Sequence, residues 1–261
     1  MASEPLTFTV IIPARMRSTR LPGKMLADIG GKPLVAWVAQ RARESGAARV
    51  VIATDHDDIE QAASRHGWTV CRTSADHPTG TDRIAEAAVK LALAPGSIIV
   101  NVQGDEPLID PQLIREVARR LAATPGAAIA TAAHPITSAE TFLDPNVVKV
   151  VLDAEGCAQY FSRAPIPYPR DAFAADRTRL PREFPAYRHI GIYAYGVEFL
   201  QRYAALAPTA AERFEALEQL RALGHGHRIA VSIWEGALEA GVDTQADLDR
   251  VRKRLAERAA T

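Results

Sequence analysis

The sequence predicts an α/β fold, a mainly parallel sheet with helices on both faces and a smaller mixed second lobe. Three observations carry that expectation. Strand-like and helix-like stretches alternate through the first half. The strands there, Phe8 to Ile12 and Ser97 to Val102 above all, are continuously apolar, as strands covered on both faces are. The second half then changes character, with a hairpin-like strand pair followed by a proline-rich stretch.

Taken in order, Phe8 to Ile12 is a β-branched run ended by Pro13. Pro33 to Ser45 has helical spacing through Leu34, Trp37, Val38 and Arg41, with Pro33 suited to the first turn and Gly46 to the stop. Arg49 to Ala53 reads as a strand, Asp57 to His66 as a helix closed by Gly67, and Trp68 to Cys71 as a strand. Thr81 to Leu93 is helical and stops at Pro95-Gly96; Ser97 to Val102 is a strand, Pro111 to Ala123 a helix and Ala127 to Ala133 a strand. Val147 to Leu152 and Ala158 to Phe161 pair around a turn at Asp153 to Gly156. Ala164 to Pro185, with five prolines, is long for a structureless loop and is expected to be functional, mobile or both. His189 to Tyr195 is a strand, Val197 to Leu206 and Ala210 to Leu223 are helices, and Ile229 to Trp234 is a strand. Thr244 to Glu257 is a closing helix capped by Thr244 or Asp243.

Composition narrows the class. The chain is 48% apolar and 24% charged, which excludes a disordered, collagen-like or coiled-coil protein. Its 31 Lys and Arg balance 31 Asp and Glu, which argues against a nucleic-acid partner or an anionic membrane surface. A chain of 261 residues buries roughly three quarters of its unfolded surface and needs no metal or disulfide staple. Cys71 and Cys157 stand far apart and read as small buried hydrophobes in a reducing compartment. Residues 1–7 lack the basic and apolar regions of a signal peptide, and no apolar run approaches the ~20 residues of a membrane span. A soluble cytoplasmic protein is expected.

Ligands of such sheets bind beyond the carboxyl ends of the strands. Two segments fall there. Pro13 to Lys24 crowds Arg15, Arg17, Arg20 and Lys24 together with Ser18, Thr19 and Gly23. Arginine forks match phosphate oxygens, and a lysine adds a compact charge. Charge alone leaves a solvated basic loop as an equal reading; the position directly after the first strand favours phosphate. In Gln103 to Pro107, Asp105 suits a divalent metal shared with substrate phosphates, since Mg²⁺ takes one or two carboxylates. A turn in which Asp105 or Glu106 caps the Pro111 helix explains that segment equally well. No Gly-x-Gly-x-x-Gly follows the first strand, and no Walker loop is present. His225-Gly-His227 reads as a turn rather than a metal site, His56 as a structural residue, and Trp37, Trp68 and Trp234 as core.

Residues 8–24, Ala53 to His56, Gly80 to Arg83, Val100 to Pro107, Pro145 to Lys149, Tyr160 to Arg163, His189 to Tyr193, Leu217 to Arg221 and Gly241 to Thr244 closely resemble the 3-deoxy-manno-octulosonate (Kdo) cytidylyltransferases, the CMP-Kdo synthetase family. The resemblance runs through nearly the whole chain in order. Met16-Arg17, the stretch from Asp171 to Pro185 and that from Glu235 to Ala240 depart from it.

The resemblance implies a Rossmann-like nucleotidyltransferase fold in one domain, residues 1–261. A CTP-binding lobe would span 7–133, a sugar-binding and dimerisation lobe 134–232, and a metal-ligand turn with the final helix 233–261. It implies transfer of CMP from CTP to Kdo with release of pyrophosphate and Mg²⁺ as cofactor, activating Kdo for bacterial lipopolysaccharide synthesis. Another acid sugar is the alternative acceptor. By the same resemblance Arg15, Arg20 and Lys24 hold the triphosphate. Pro13, Ala14 and Gln103 lie near cytosine and ribose, Arg83 is a further nucleotide contact, and Asp105 and Asp243 are the metal ligands. Gln103, Arg163, His189, Tyr193, Glu218 and Gln219 are the candidates for the sugar-acid pocket, with Arg163 or His189 facing the sugar carboxylate. Arg15, Lys24, Asp105 and Asp243 would carry catalysis. The family implies a homodimer.

Overall fold

The computed structural model describes residues 6–259; the N-terminal residues 1–5 read above against a signal peptide lie outside the described residues. The first half builds the parallel part of one sheet from β1 (Phe8–Ala14), β4 (Arg49–Thr54), β5 (Thr69–Arg72) and β6 (Ile98–Asn101), with a small hairpin of β2 (Asp28–Ile29) and β3 (Lys32–Pro33) beside it. Then follow β7 (Ala127–Pro135), β8 (Lys149–Leu152), β9 (Ala158–Ser162), β10 (Tyr187–Gly196) and β11 (Arg228–Ile233). The main path runs β11-β7-β10-β6-β1-β4-β5, and the β8–β9 hairpin attaches to the start of β10.

Every residue of β1 is buried, because the sheet is covered twice. Val10 and Ile12 enter the core formed with α1 (Leu34–Glu44), α2 (Asp57–Arg65), α4 (Pro111–Ala122) and α10 (Gln245–Ala259). Ile11 enters the opposite core with α3 (Gly80–Lys90), α7 (Val197–Tyr203) and α9 (Gln219–Gly224). Each such side chain contributes about 1.5–3 kcal/mol by leaving water. One strand breaks the parallel order: β10 runs antiparallel between β6 and β7, so residues from the second half sit beside the carboxyl end of β6.

Three expectations are corrected. The Ala164 to Pro185 stretch is not structureless. It carries the short α6 (Arg170–Ala175), and Phe173 packs edge-on against Phe142, from α5 (Ala139–Leu143), in a small core that Ile136, Ala186 and Phe184 complete. The helix expected over Ala210 to Leu223 is broken: α8 (Ala210–Glu215) ends at Ala216, which is left-handed at φ 50°, and α9 starts three residues later. Neither Asp105 nor Glu106 caps α4. Asp110 does, accepting from Gln112 N at 2.8 Å, with Pro111 in the first turn. Cys71 and Cys157 are free and buried, as expected, and His225-Gly-His227 is the turn that ends α9. Among the described residues no helix is long and apolar enough to cross a membrane.

Candidate active site

The loop after β1 turns back on itself at Gly23, whose φ of +69° strains any other residue, and this places Lys24 at the start of a one-turn 3₁₀ helix. Lys24 is therefore only 8% exposed. A loop facing solvent throughout does not describe this residue. Its ammonium donates to Asp105 Oδ2 at 2.7 Å, Asp243 Oδ1 at 2.9 Å and the Val242 carbonyl at 3.1 Å. Burial pulls the Lys24 pKa down, but hydrogen bonds and charge from Asp105 and Asp243 outweigh it and raise the pKa. Arg20 closes the cluster from outside, donating to Asp243 Oδ2 at 2.8 Å.

Two backbone features bring the carboxylates together across the chain. Gly104 lets the 103–106 turn lie against β1; a Cβ there would stand 2.9 Å from the Pro13 carbonyl oxygen. Val242 N then donates to the Asp105 carbonyl at 2.8 Å. Thr244, in a reciprocal pair with Asp247, caps α10, so Asp243 is left free of that task. Glu106 stands next in the chain, and burial with the Asp105 charge pushes its pKa up to about 8, keeping it protonated at neutral pH. A cavity of about 560 Å³ opens over Arg17, Ser18, Thr19, Arg20, Lys24 and Asp243, and Arg17 is exposed on its rim.

Arg15 and Arg83, the arginines expected on the nucleotide side, lie deeper. Arg83 is fully buried against Thr73 and within 3.3 Å of Asp55 Oδ1, with Nε and Nη2 in no hydrogen bond. Arg15 donates to the Pro78 carbonyl at 3.3 Å, and its Nη2 is also buried and unpartnered. Pro78 is held in place by Glu86, which accepts from Ser74 N at 2.8 Å and pairs with His77 and Lys90. Burial raises the Glu86 pKa, but those three hydrogen bonds bring it to about 2. Pro13 and Ala14 are buried at the end of β1, and Gln103 is half-buried.

The sugar-side candidates divide into two groups. Tyr193 O–H donates to Gln219 Oε1 at 3.2 Å, and the His189 ring packs tilted against Tyr193 with ring centres 5.4 Å apart. Glu218 belongs to the same group. Burial raises its pKa, opposed by hydrogen bonds from Thr81 and Thr79. Arg163 is not in contact with this group; it is bonded to Glu215, Pro145 and Lys149. The half-buried His189 ring bonds Thr131 Oγ1 at 3.0 Å, and burial lowers its pKa to about 3. It is therefore neutral at pH 7 and carries no charge to offer a carboxylate.

That depressed value has a testable consequence. Between pH 6.5 and 3 the unfolded chain protonates His189 while the fold does not, so stability is lost on acidification, by up to about 1.4 kcal/mol per pH unit. The acid limb of the unfolding midpoint should be shallower in His189→Gln. An identical limb in that variant would exclude His189 as its source.

Sequence reasoning missed several supporting residues. Asn101, buried at the end of β6, faces Tyr195, which also bonds Thr81. A polar residue closing an apolar strand was the available signal. Asp55 opposite Arg83 had none, because the pair joins separate segments, and the 2.5 Å Arg221–Glu212 pair had none, because the break between α8 and α9 that brings it together was not foreseen.

Carboxylates paired with the buried Lys24 ammonium beyond the carboxyl ends of β1 and β6 stand where open α/β sheets bind their ligands, as in a nucleotide-handling transferase. The sequence signature of the cytidylyltransferases matches residues 9–229, and the chain belongs to that family. More particularly, it is similar to a CMP:2-keto-3-deoxy-manno-octonic acid synthetase solved in complex with CTP. The two are 40% identical with a TM-score of 0.87, over 97% of this chain and 100% of that one. The resemblance read from the motifs is thus borne out. A cytidylyltransferase from Leptospira borgpetersenii serovar Hardjo-bovis (strain JB197) shares the fold at 18% identity and TM-score 0.61, over 97% of this chain and 87% of that one.

Proposed function

We propose that this chain transfers CMP from CTP to Kdo, giving CMP-Kdo and pyrophosphate. The observation that carries the reading is the convergence of Lys24, Arg20, Asp105 and Asp243 at one point of the sheet edge, in a chain 40% identical to a synthetase holding CTP. The anomeric hydroxyl of Kdo attacks the α-phosphorus and loses its proton to solvent; an oxygen–phosphorus bond forms while the bond from the α-phosphorus to the bridging oxygen breaks and pyrophosphate leaves. Such transfers depend on positioning and charge neutralisation.

In this reading Arg15, Arg20 and Lys24 bind the triphosphate and offset charge on the leaving pyrophosphate. Pro13, Ala14, Gln103 and Arg83 receive the nucleoside, and the unpartnered donors of Arg15 and Arg83 are free to take acceptors of the ligand. Asp105 and Asp243 already share one cation, the Lys24 ammonium. An oxygen-only pair suits Mg²⁺, although no group of three His, Cys, Asp or Glu is placed to hold a metal among the described residues. When bound, Mg²⁺ would supply charge neutralisation on the phosphates. Arg163, His189, Tyr193, Glu218 and Gln219 orient the acid sugar. Residues 7–133 serve CTP, residues 134–232 the sugar and a second copy of the chain, and 233–261 bring Asp243 to the metal. The homodimer is carried over from the family, and Tyr160 at 40% exposure and Phe214 at 91% are apolar side chains that a second copy would cover. Use of CTP points to the cytoplasm.

Pyrophosphate release is expected only when Kdo, CTP and a divalent metal are present together. Equal turnover with N-acetylneuraminate, or none with Kdo, would remove the substrate assignment.

A further inference from the structure

Arg163 is secured at nearly every polar atom it owns. Its N–H donates to Glu215 Oε2 at 2.9 Å, its carbonyl accepts from the buried Lys149 ammonium at 2.6 Å, Nε donates to the Glu215 carbonyl at 2.7 Å and Nη1 to the Pro145 carbonyl at 3.1 Å. Lys149 spends its other two donors on the carbonyls of Asp144 and Val147, so the turn before β8 is tied to the same point. Two of these bonds to Arg163 come from one residue, Glu215. Its second carboxylate oxygen accepts from Ser162 Oγ at 2.6 Å, and Ser162 is buried.

Glu215 is also the last residue of α8, directly before the left-handed Ala216. A non-glycine residue at φ 50° is strained and persists only where its surroundings hold it. Beyond the joint lie Glu218 and Gln219. Tyr203 O–H donates to the Glu218 carbonyl at 2.9 Å, and Arg221 of α9 forms a forked pair with Glu212 of α8, which ties the two helices across the joint. Glu215 therefore stands between the Arg163 arm and the Glu218–Gln219 pair, which have no direct contact with each other.

We propose that Glu215 is a positioning residue for the acid-sugar side of the reaction: its carboxylate locks Arg163 to the Ala216 joint and sets the spacing between Arg163 and the Glu218–Gln219 pair. This rests on the assignment of those residues to Kdo. Two diverging donors require two acceptor oxygens at one place, which a carboxylate supplies. Glutamine keeps one oxygen for Arg163 N–H and turns its amide toward the Ser162 hydroxyl, which can rotate to accept. Alanine leaves both donors bare.

Steady-state kinetics on Glu215→Ala, Glu215→Gln and Arg163→Ala, varying Kdo and CTP separately, test this. Glu215→Ala should raise KM for Kdo by roughly 10–100-fold, the loss expected when a charged acceptor of two inner donors is removed. KM for CTP should stay within about twofold, since the nucleotide groups are untouched. Glu215→Gln should recover most of the loss, and the Glu215→Ala/Arg163→Ala double variant should be no worse than Arg163→Ala. A purely structural role lowers active protein and hence kcat, with neither KM split nor glutamine rescue. That result overturns the proposal, as does additivity in the double variant. If Arg163→Ala leaves KM for Kdo unchanged, the assignment of Arg163 fails first and the proposal falls with it. If Arg163→Ala raises KM for Kdo and Glu215→Ala does not, the proposal alone falls. Should Glu215→Ala not fold, Ser162→Ala removes one of the two donors, and a KM for Kdo unchanged there overturns the proposal.

Discussion

Asp105→Asn is expected to lose about 10²–10³ of turnover and to require far more Mg²⁺, while CTP-free stability changes little. The side chain keeps its shape, and its amide oxygen still accepts from Lys24, so the loss isolates the charge. No cap is disturbed, because Asp110 caps α4. Asp243→Asn should behave alike: Thr244 and Asp247 form the cap of α10, so the stability loss that a capping role would produce is not expected. The double variant should be little worse than either single one, as for residues that act as a unit. Mg²⁺ titrations of initial rate check this. Wild-type metal dependence in both single variants would remove the two carboxylates from the metal site.

Lys24→Ala should cost a similar factor of about 10²–10³ in turnover at saturating CTP, because one preorganised charge on the departing pyrophosphate is lost. The structure adds two effects that a solvent-facing lysine would not have. First, the variant leaves Asp105 and Asp243 facing each other without their shared ammonium. It should lose about 1–3 kcal/mol of stability, less than a fully buried pair because the Asp243 side chain is 46% exposed. Second, the ammonium occupies the space between the carboxylates in the ligand-free molecule. Mn²⁺ titrated into nucleotide-free protein should therefore bind Lys24→Ala more tightly than wild type, although the variant is nearly inactive. Weaker Mn²⁺ binding together with near-wild-type turnover would show that Lys24 only braces the loop.

Much of this was legible in the residues themselves. Continuous apolar strands such as Phe8 to Ile12 can be satisfied only inside a doubly covered sheet, and a local cap such as Thr244 marks the start of the closing helix. Four cations directly after a buried strand and an acid directly after another are also local, and they point to the sheet edge before any coordinates exist. What the tertiary structure decided involves pairs distant in sequence. Strand direction is absent from a periodicity of two, so the antiparallel insertion of β10 between β6 and β7 followed from packing. The break at Ala216 overrode a helical pattern because Glu215 gains Ser162 and Arg163 as partners. Lys24 became buried only when Asp105 and Asp243, 81 and 219 residues away, closed over it. The sequence by itself determined which chemistry the chain carries and at which edge of the sheet. Which groups share a hydrogen bond, which are neutral and which are braced depended on long-range burial, whose desolvation and pairing energies no local pattern encodes.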